Sequence, residues 1–567
     1  MAAASLQLMD LTSLRAVLWD LRRQLVPSRF EKAQQPDAAR LQLGFRSLSG
    51  MTWVELSWLA EAPHLIQIPP PARQGAGSTL AQQLQHSLRQ LALVELHQPG
   101  FERVVEFRLA ARPGERVQRV LVLELMGRHS NLLLLDDQRQ VITLGRQVRD
   151  HQSRVRPIGT GDGYAPPPPL QGQPPDPQES DERWRERLQL LPVPLRKALQ
   201  QSYQGISPTL IRQLAGSLAE SGVQDLEPDQ WQQLHRSWQC WLKALEQESF
   251  RLQLQEDGRY RVWGTGQDSG EPGLALVLGR WYREQLDQRA LSRRSDEVRQ
   301  RLERWRGKEE LALEDQMQRR AATAGSDDLQ QQADALLCLP SPSREQVEQA
   351  QKLYRRARKL RRSVAVLEER LTHHRRRLDL INGSEAFIED LQIAHWQEVA
   401  PRLTALQELR SELEELLNPG GRQQERRQQR QSTPQPLELV SPGGLLIQVG
   451  RNHRQNDWIS LRQARSGDLW FHAQECPGSH VVLKASSGLP EDGDLTLATD
   501  LAAHFSRARG NSRVAVVMVP TMQLQRIPGA GPGTVRHRGG EIRWGEPHRA
   551  EQHLHDSAAS SLASTGV

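Results

Sequence analysis

Nine residues constrain this chain more than any others. Leu353, Ala357, Leu360, Val364, Leu367, Leu371, His374, Leu378 and Ile381 follow one another at alternating steps of four and three, over four heptads. A stripe of that period keeps one helix face against a partner along its whole length, the signature of a coiled-coil seam. A weaker seam runs upstream through Leu291, Val298, Leu302, Trp305 and Ala312, and the sequence between the two is broken at Ala324-Gly325 and at Pro340 to Pro342. The chain can reverse there and pair with itself, so residues 281–418 are expected to form a long antiparallel coiled-coil hairpin. Residues 351–377 carry eleven Lys or Arg against two Glu, a larger surplus than the net +6 of the whole chain. Such a rod, with Arg355, Arg358 and Arg362 among its cations, suits phosphate contacts that release counterions. A merely solvated helix face has the same composition.

Two further breaks divide the remainder. Residues 159–180 are rich in Pro and Gly, and residues 419–436 contain GGRQQERRQQRQSTPQP without an apolar side chain to bury; both read as linkers. Before the first, apolar runs at Val104 to Leu109, Val120 to Met126 and Asn131 to Leu135 are separated by turn signals, and helical spacing occurs at Leu11 to Leu25 and at Leu80 to Leu96 behind Ser78-Thr79. Residues 1–158 are therefore expected to be a sheet-rich α+β domain. Residues 181–275 read as short helices at Trp184 to Leu191, Pro194 to Ser202 and Pro208 to Ser221, with Ser207 as an N-cap before proline. After the second linker, strands at Leu445 to Val449, Asp468 to His472, His480 to Leu483 and Val514 to Val519, with a helix at Leu495 to Arg509, make residues 437–567 a second α+β domain.

At 567 residues the chain has room for three to five such folding units. The apolar run around Leu132 to Leu135 is far below the roughly 18 residues that span a bilayer, and Met1 to Asp10 holds no readable secretory signal; no membrane partner and a cytoplasmic location are expected. Cys240, Cys338 and Cys476 are too dispersed for a zinc knuckle or a disulfide framework. No GxxxxGK[ST] and no strand-GxGxxG-helix occurs. His373-His374 lacks a third ligand at useful spacing, and Ser130 beside His129 lacks an orienting group. Neither metal nor cofactor nor catalytic residue is expected, and nothing requires an enzyme.

Gly450-Arg451-Asn452-His453-Arg454-Gln455-Asn456-Asp457, Asp468-Leu469-Trp470-Phe471-His472-Ala473, Pro477-Gly478-Ser479-His480-Val481-Val482-Leu483 and Ile527 to Val535 (IPGAGPGTV) resemble the RNA-binding domain of the NFACT family. Glu124 to Leu132 (ELMGRHSNL) and Tyr164-Ala165-Pro166-Pro167-Pro168 resemble its N-domain, and Gln204 to Pro208 is similar to its helix-hairpin-helix segment. The motifs occur in the family's order over nearly the whole chain. The resemblance, nearest to the bacterial branch, implies a factor that binds large ribosomal subunits obstructed by peptidyl-tRNA. Such a factor recruits alanyl-tRNA, so that the subunit appends alanines to the stalled nascent chain, with a small RNA-binding factor (RqcP) as a further partner.

The resemblance also implies site residues. Asp10 matches the family's acidic residue near the N-terminus, and Glu102-Arg103 aligns with its Asp-Arg pair for tRNA recognition, here with one methylene more on the acid. A surface ion pair is the plain alternative. Arg128, His129 and Asn131 follow an apolar strand and are tRNA candidates, although Asn131 also suits a turn. For ribosomal RNA, the polar loop Arg451, Asn452, Gln455, Asn456 and Asp457 stands beside Asp468, Trp470 and His472. Strand alternation sends Trp470 and His472 to one face and Phe471 to the other, and one of those faces is core. Two departures are visible: the segment before the second rod arm is short, and Val26-Pro27-Ser28-Arg29 lacks the usual Gly-Gly before its basic residue. A fibronectin-binding surface adhesin and a DNA glycosylase are the competing functions. The first lacks a readable signal or anchor, and the second needs an N-terminal proline where this chain has Met1-Ala2-Ala3.

Overall fold

The computed structural model describes residues 6–73, 77–149, 151–153, 155–264, 273–417 and 434–564. The chain divides into two compact units, residues 1–285 and 286–567.

The first unit begins with α1 (Leu11–Leu25), bounded as its apolar spacing predicts. Nine antiparallel strands then form one sheet: β1 (Ser28–Asp37), β2 (Arg40–Ser47), β3 (Gly50–Ser57), β4 (His64–Ile68), β5 (Ala92–His97), β6 (Val104–Ala110), β7 (Arg119–Glu124), β8 (Asn131–Leu135) and β9 (Val141–Leu144). Their order is β4-β3-β2-β1-β5-β6-β7-β8-β9. The two-residue turn between β2 and β3 closes on Gly50 at φ +125°, a conformation that excludes larger residues. The helix expected over Leu80 to Leu96 is shorter: α2 (Thr79–Ser87), capped by Ser78, stops before Gln90 at φ +68°. The remaining residues form β5, because pairing with β1 and β6 buries Leu93 and Leu96. Tertiary burial overrides helical spacing there.

Four helices follow: α3 (Asp181–Leu188), α4 (Leu195–Ser202), α5 (Pro208–Ala215) and α6 (Pro228–Glu246). The helix expected to reach Ser221 ends at Ala215 because Gly216 takes φ +55°, and a 3-10 turn covers Gly216–Glu220. Trp184, Trp231, Trp238, Trp241 and Tyr203 pack ring on ring at 4.8 to 5.8 Å as the core of this helical cluster. The Trp241 indole donates to Thr12 Oγ1 at 3.0 Å and fixes the cluster to α1. A two-strand ribbon, β10 (Gln253–Leu254) with β11 (Tyr260–Arg261), completes the unit. Residues 159–180, expected as a linker, are tied down: the Tyr164 hydroxyl donates to Glu124, and Gln173 pairs with the backbone at Ser202 to Gln204.

In the second unit, α7 (Leu274–Ala322), which starts in the first unit, runs through a 3-10 turn into α8 (Ser326–Leu337). The reversal comes after Leu337, and Ser343 with Gln346 caps α9 (Arg344–Ile393). Arg306–Glu385, Glu309–Arg377, Arg320–Glu368 and Asp327–Arg361 pair so that each step forward on one arm meets a step back on the other. The arms are therefore antiparallel, and all nine seam residues are buried or half-buried. The base is a three-helix bundle rather than a two-arm hairpin: α10 (Val399–Leu417) sets Leu406, Leu409 and Leu413 against Leu291, Leu302, Phe387 and Ile388. The expected linker 419–436 lies, except for residues 434–436, outside the described residues.

The last region holds β12 (Leu437–Val440), β13 (Leu446–Val449), α11 (His453–Asp457), β14 (Leu469–Ala473), β15 (Val481–Leu483), α12 (Asp492–His504), β16 (Val514–Pro520), β17 (Leu524–Arg526), β18 (Val535–His537), β19 (Glu541–Gly545) and α13 (Pro547–Ser564). Six strands form an antiparallel sheet, β12-β13-β15-β14-β16-β19, and β17 with β18 make a separate hairpin. One sheet face packs Ile447, Phe471 and Val516 against Leu501 of α12 and Leu554 of α13. The other packs Trp470, Val482 and Val519 against Ile459 and Leu524. The helix expected over Leu495 to Arg509 starts earlier, where Glu491 and Asp494 form a capping box, and ends at His504.

Candidate nucleic-acid interfaces

The acid at the start of α1 is structural. Asp10 Oδ1 accepts from Ser13 N at 2.9 Å and Ser13 Oγ at 2.7 Å, while Oδ2 accepts from the Ser207 hydroxyl at 2.7 Å. Ser207 in turn accepts from Leu210 N, so one carboxylate joins the N-caps of α1 and α5. Gln7 clasps the Tyr260 backbone, and the Tyr260 and Tyr282 hydroxyls meet at 2.9 Å. The short link between β5 and β6 is held by Arg15, which donates to Gly100 O, and by Gln98, whose amide donates to Glu102 O. Glu102 Oε1 accepts from Leu170 N at 3.3 Å, and partial burial raises its carboxyl. The Arg103 side chain makes no hydrogen bond or ion pair among the described residues, while its backbone carbonyl accepts from Leu125 N at 2.9 Å. Burial lowers its guanidinium pKa below the ordinary value, and attraction to Asp10 and Glu102 partly offsets that shift. Arg15, on the same link, also rests 4.8 Å over the Phe101 ring. A half-buried guanidinium without a side-chain partner among the described residues keeps its donors free for an acceptor from outside the chain.

The Gly127–His129 turn divides in two. Arg128 and His129 are exposed, the Arg128 Nε donating to His129 Nε2 at 3.1 Å. Asn131 is only 3% exposed; its amide donates to Arg146 O and accepts from Leu132 N and Arg146 N. It is a turn clamp. On α9, Arg355, Arg358 and Arg362 are exposed, and of the eleven cations in 351–377 only Arg361 and Arg377 enter ion pairs among the described residues.

The segment read as a polar loop is instead the helix α11 and its cap, and it is internal. Asn452 Oδ1 accepts from Gln455 N, and Gln455, 1% exposed, accepts from Arg451 N and donates to Glu408 on α10. Asn456, 2% exposed, accepts from His480 N, and Gly450 approaches so closely that a Cβ would lie 2.1 Å from its Oδ1. Arg451 donates to Gln397, and Asp457 holds Arg526 at 3.0 Å. Buried Asp468 accepts from Arg465 N, Ser486 N and Lys484 Nζ, which hold it below the usual carboxylate range against the upward push of burial. Trp470 lies in the second core, and half-buried His472 stacks on it at 5.5 Å with planes 4° apart, its imidazole pKa lowered by burial. Phe471 faces the opposite core, as alternation predicts.

The sequence reading missed what holds this helix. Glu412 on α10 accepts from His453 N at 3.2 Å and Arg454 N at 2.7 Å, and burial pushes its carboxyl up to about 7. His453, brought down to about 4 by burial, lies within 3.2 Å of Leu380 O and Ser384 Oγ on α9. No local motif announces Glu412, because its partner lies beyond the linker in sequence.

Family models of the NFACT N-terminal and middle domains match residues 10–342 and 340–432. The chain belongs to the NFACT family. A model of the NFACT protein RNA binding domain matches residues 437–539, so the second unit carries an NFACT RNA-binding domain, with β19 and α13 beyond the match. Among relatives, "Rqc2 homolog RqcH" of Streptococcus pneumoniae strain R6 is 26% identical over 93% of this chain and 95% of its own. The protein of the same name from Bacillus subtilis strain 168 is 26% identical over 78% and 81%. Of solved structures, the C-terminal part of a fibronectin/fibrinogen-binding protein from Streptococcus suis aligns at TM-score 0.38 and 27% identity, over 45% of this NFACT chain and 95% of that one. The N-terminal part aligns at TM-score 0.39 and 22% identity, over 48% and 99%.

Proposed function

We propose that this NFACT protein is a non-enzymatic ribosome quality-control factor. It binds large ribosomal subunits obstructed by peptidyl-tRNA and recruits alanyl-tRNA, and the subunit then extends the stalled chain with alanines without a template. An RqcP-like RNA-binding factor is a further companion, and the work is cytoplasmic. The observation that carries the reading is Arg103, a half-buried cation whose side chain has no hydrogen bond or ion pair among the described residues, in a chain that also holds an RNA-binding domain and a basic helical arm with exposed arginines. Arg103 with Arg128 and His129 would meet tRNA, while Arg355, Arg358, Arg362 and half-buried His472 would meet ribosomal RNA. The bond from Leu170 N to Glu102 supports a second reading, subunit binding without tRNA selection, because it engages the acid that a base contact would need.

The test is recovery of the tagged chain from cells in mild salt, with sequencing of bound RNA beside a Glu102→Ala, Arg103→Ala variant. Large-subunit RNA with one enriched alanine tRNA, lost in the variant, is the expected result. Large-subunit RNA without a selected tRNA supports the second reading, and absence of both overturns the proposal.

A further inference from the structure

The strand beyond the family match carries a feature that the core leaves unused. Arg543 of β19 pairs with Asp492 at the start of α12, so the odd-numbered side chains of that strand face the helices. Ile542 and Trp544 therefore face the other way, and they are 45% and 63% exposed. Register continues the row inward: Ile542 is opposite Val517, which is opposite His472, and Trp544 is opposite Ala515. His472 stacks on Trp470, and His537 covers Trp470 at 6.0 Å. Hairpin β17–β18 roofs one end of this face, with Gly540 crossing so close that a Cβ would lie 2.8 Å from Val517 Cγ2. The end bearing Ile542 and Trp544 stays partly open among the described residues.

Charge says what such a surface accepts. Glu541 shares the helix-facing side with Arg543, so the outer face of β14, β16 and β19 presents no carboxylate. Beside it, residues 526–540 contain three arginines and no acid. Arg526 is held by Asp457, whereas Arg536 and Arg538 are exposed and form no ion pair among the described residues. Three neighbouring strands without an outward carboxylate, with an accessible indole and two guanidiniums that form no ion pair among the described residues, match unpaired RNA, in which bases stack on aromatic rings while phosphates meet arginine. An apolar protein surface would match Ile542 and Trp544 but gain nothing from the arginines.

We infer that Trp544, with Ile542 and Arg538, forms a base-stacking platform for single-stranded RNA on the outer face of the C-terminal sheet. This deepens the proposed function and rests on it for the biological source of the strand. The interaction itself is tested with the full chain and a fluorescein-labelled ten-nucleotide oligouridine, read by anisotropy against a labelled RNA duplex. Stacking of one base on one aromatic ring corresponds to a loss of about 5- to 150-fold on removing that ring. Trp544→Ala is expected to weaken oligouridine binding within that range and leave the duplex unchanged, Trp544→Phe to recover most of it, and Trp544→Leu little. Trp544 is exposed, so the three variants keep the parent's melting temperature. Unaltered oligouridine binding by Trp544→Ala, equal weakening toward the duplex, or full rescue by Leu overturns the platform. Concentration-dependent self-association abolished by Trp544→Ala, with RNA binding intact, overturns it in favour of a contact between copies of the chain. Failure of the function is separable: the unaltered chain would then bring down no large-subunit RNA, whatever its affinity for oligouridine.

Discussion

Glu102-Arg103 and Arg451 to Asp457 look alike as text, short polar runs between apolar strands, yet the protein sets them in opposite environments. The first leaves its guanidinium without a hydrogen bond or ion pair among the described residues, attracted only at a distance by Asp10 and Glu102. The second spends its amides on its own helix, on α10 and on the His480 backbone, with Gln455 and Asn456 almost wholly enclosed. A polar motif thus marks either a contact or a joint. What separates them is the presence of buried partners contributed from far along the chain, here Glu408 and Glu412.

Four substitutions test that contrast. Asn456→Ala would leave the buried His480 N–H without an acceptor and cost the second unit about 3 kcal/mol, measured by urea denaturation; a loss below about 0.5 kcal/mol would show that the motif is not a joint. Glu412→Gln changes the pH profile. Burial lifts the Glu412 pKa from 4.5 to about 7, so its contribution to stability declines as pH rises through that interval. His453, lowered from 6.5 to about 4, has the reverse sense, its contribution being lost as pH falls from 6.5 toward 4. With Glu412 neutral at every pH, the stability of the variant should rise relative to the parent by about 2 kcal/mol between pH 4.5 and 7, and parallel profiles would refute the buried charge. Asp10→Ala removes the N-cap of α1 and the acceptor of the Ser207 hydroxyl that caps α5, and should cost the first unit about 1 to 2 kcal/mol in thermal unfolding. Arg103→Ala comes last: it should move stability by less than about 0.5 kcal/mol while abolishing tRNA recovery, and a large loss of stability would make Arg103 a joint as well.

Much of the fold was legible because it is periodic. The 3-4 spacing from Leu353 to Ile381 marked the stripe that lies buried, and α1 and β8 have the bounds that their runs of apolar residues announced. The reading failed where pattern and partner diverge. Leu93 and Leu96 fit a helix by spacing and became strand by pairing, and β1 to β4 went unread, although Leu41, Leu43 and Phe45 of β2 alternate with Gln42, Gly44 and Arg46. At the sites, Ser207 was recognisable as a cap, but its bond to Asp10 joins residues 197 positions apart and leaves no local trace. Trp544 escaped notice because an exposed aromatic and a core aromatic are the same letter.

The bond from α10 to α11 also bears on synthesis. Glu412 leaves the ribosome some forty residues before the backbone amides of His453 and Arg454 that it accepts from. During translation the helical base therefore emerges with that carboxylate still facing water, and α11, capped by its own Asn452, gains acceptors for the His453 and Arg454 amides only when it finds the acid. The C-terminal domain is in this sense templated by the segment made before it, and a shortened chain starting at Leu437 would enter folding without its template.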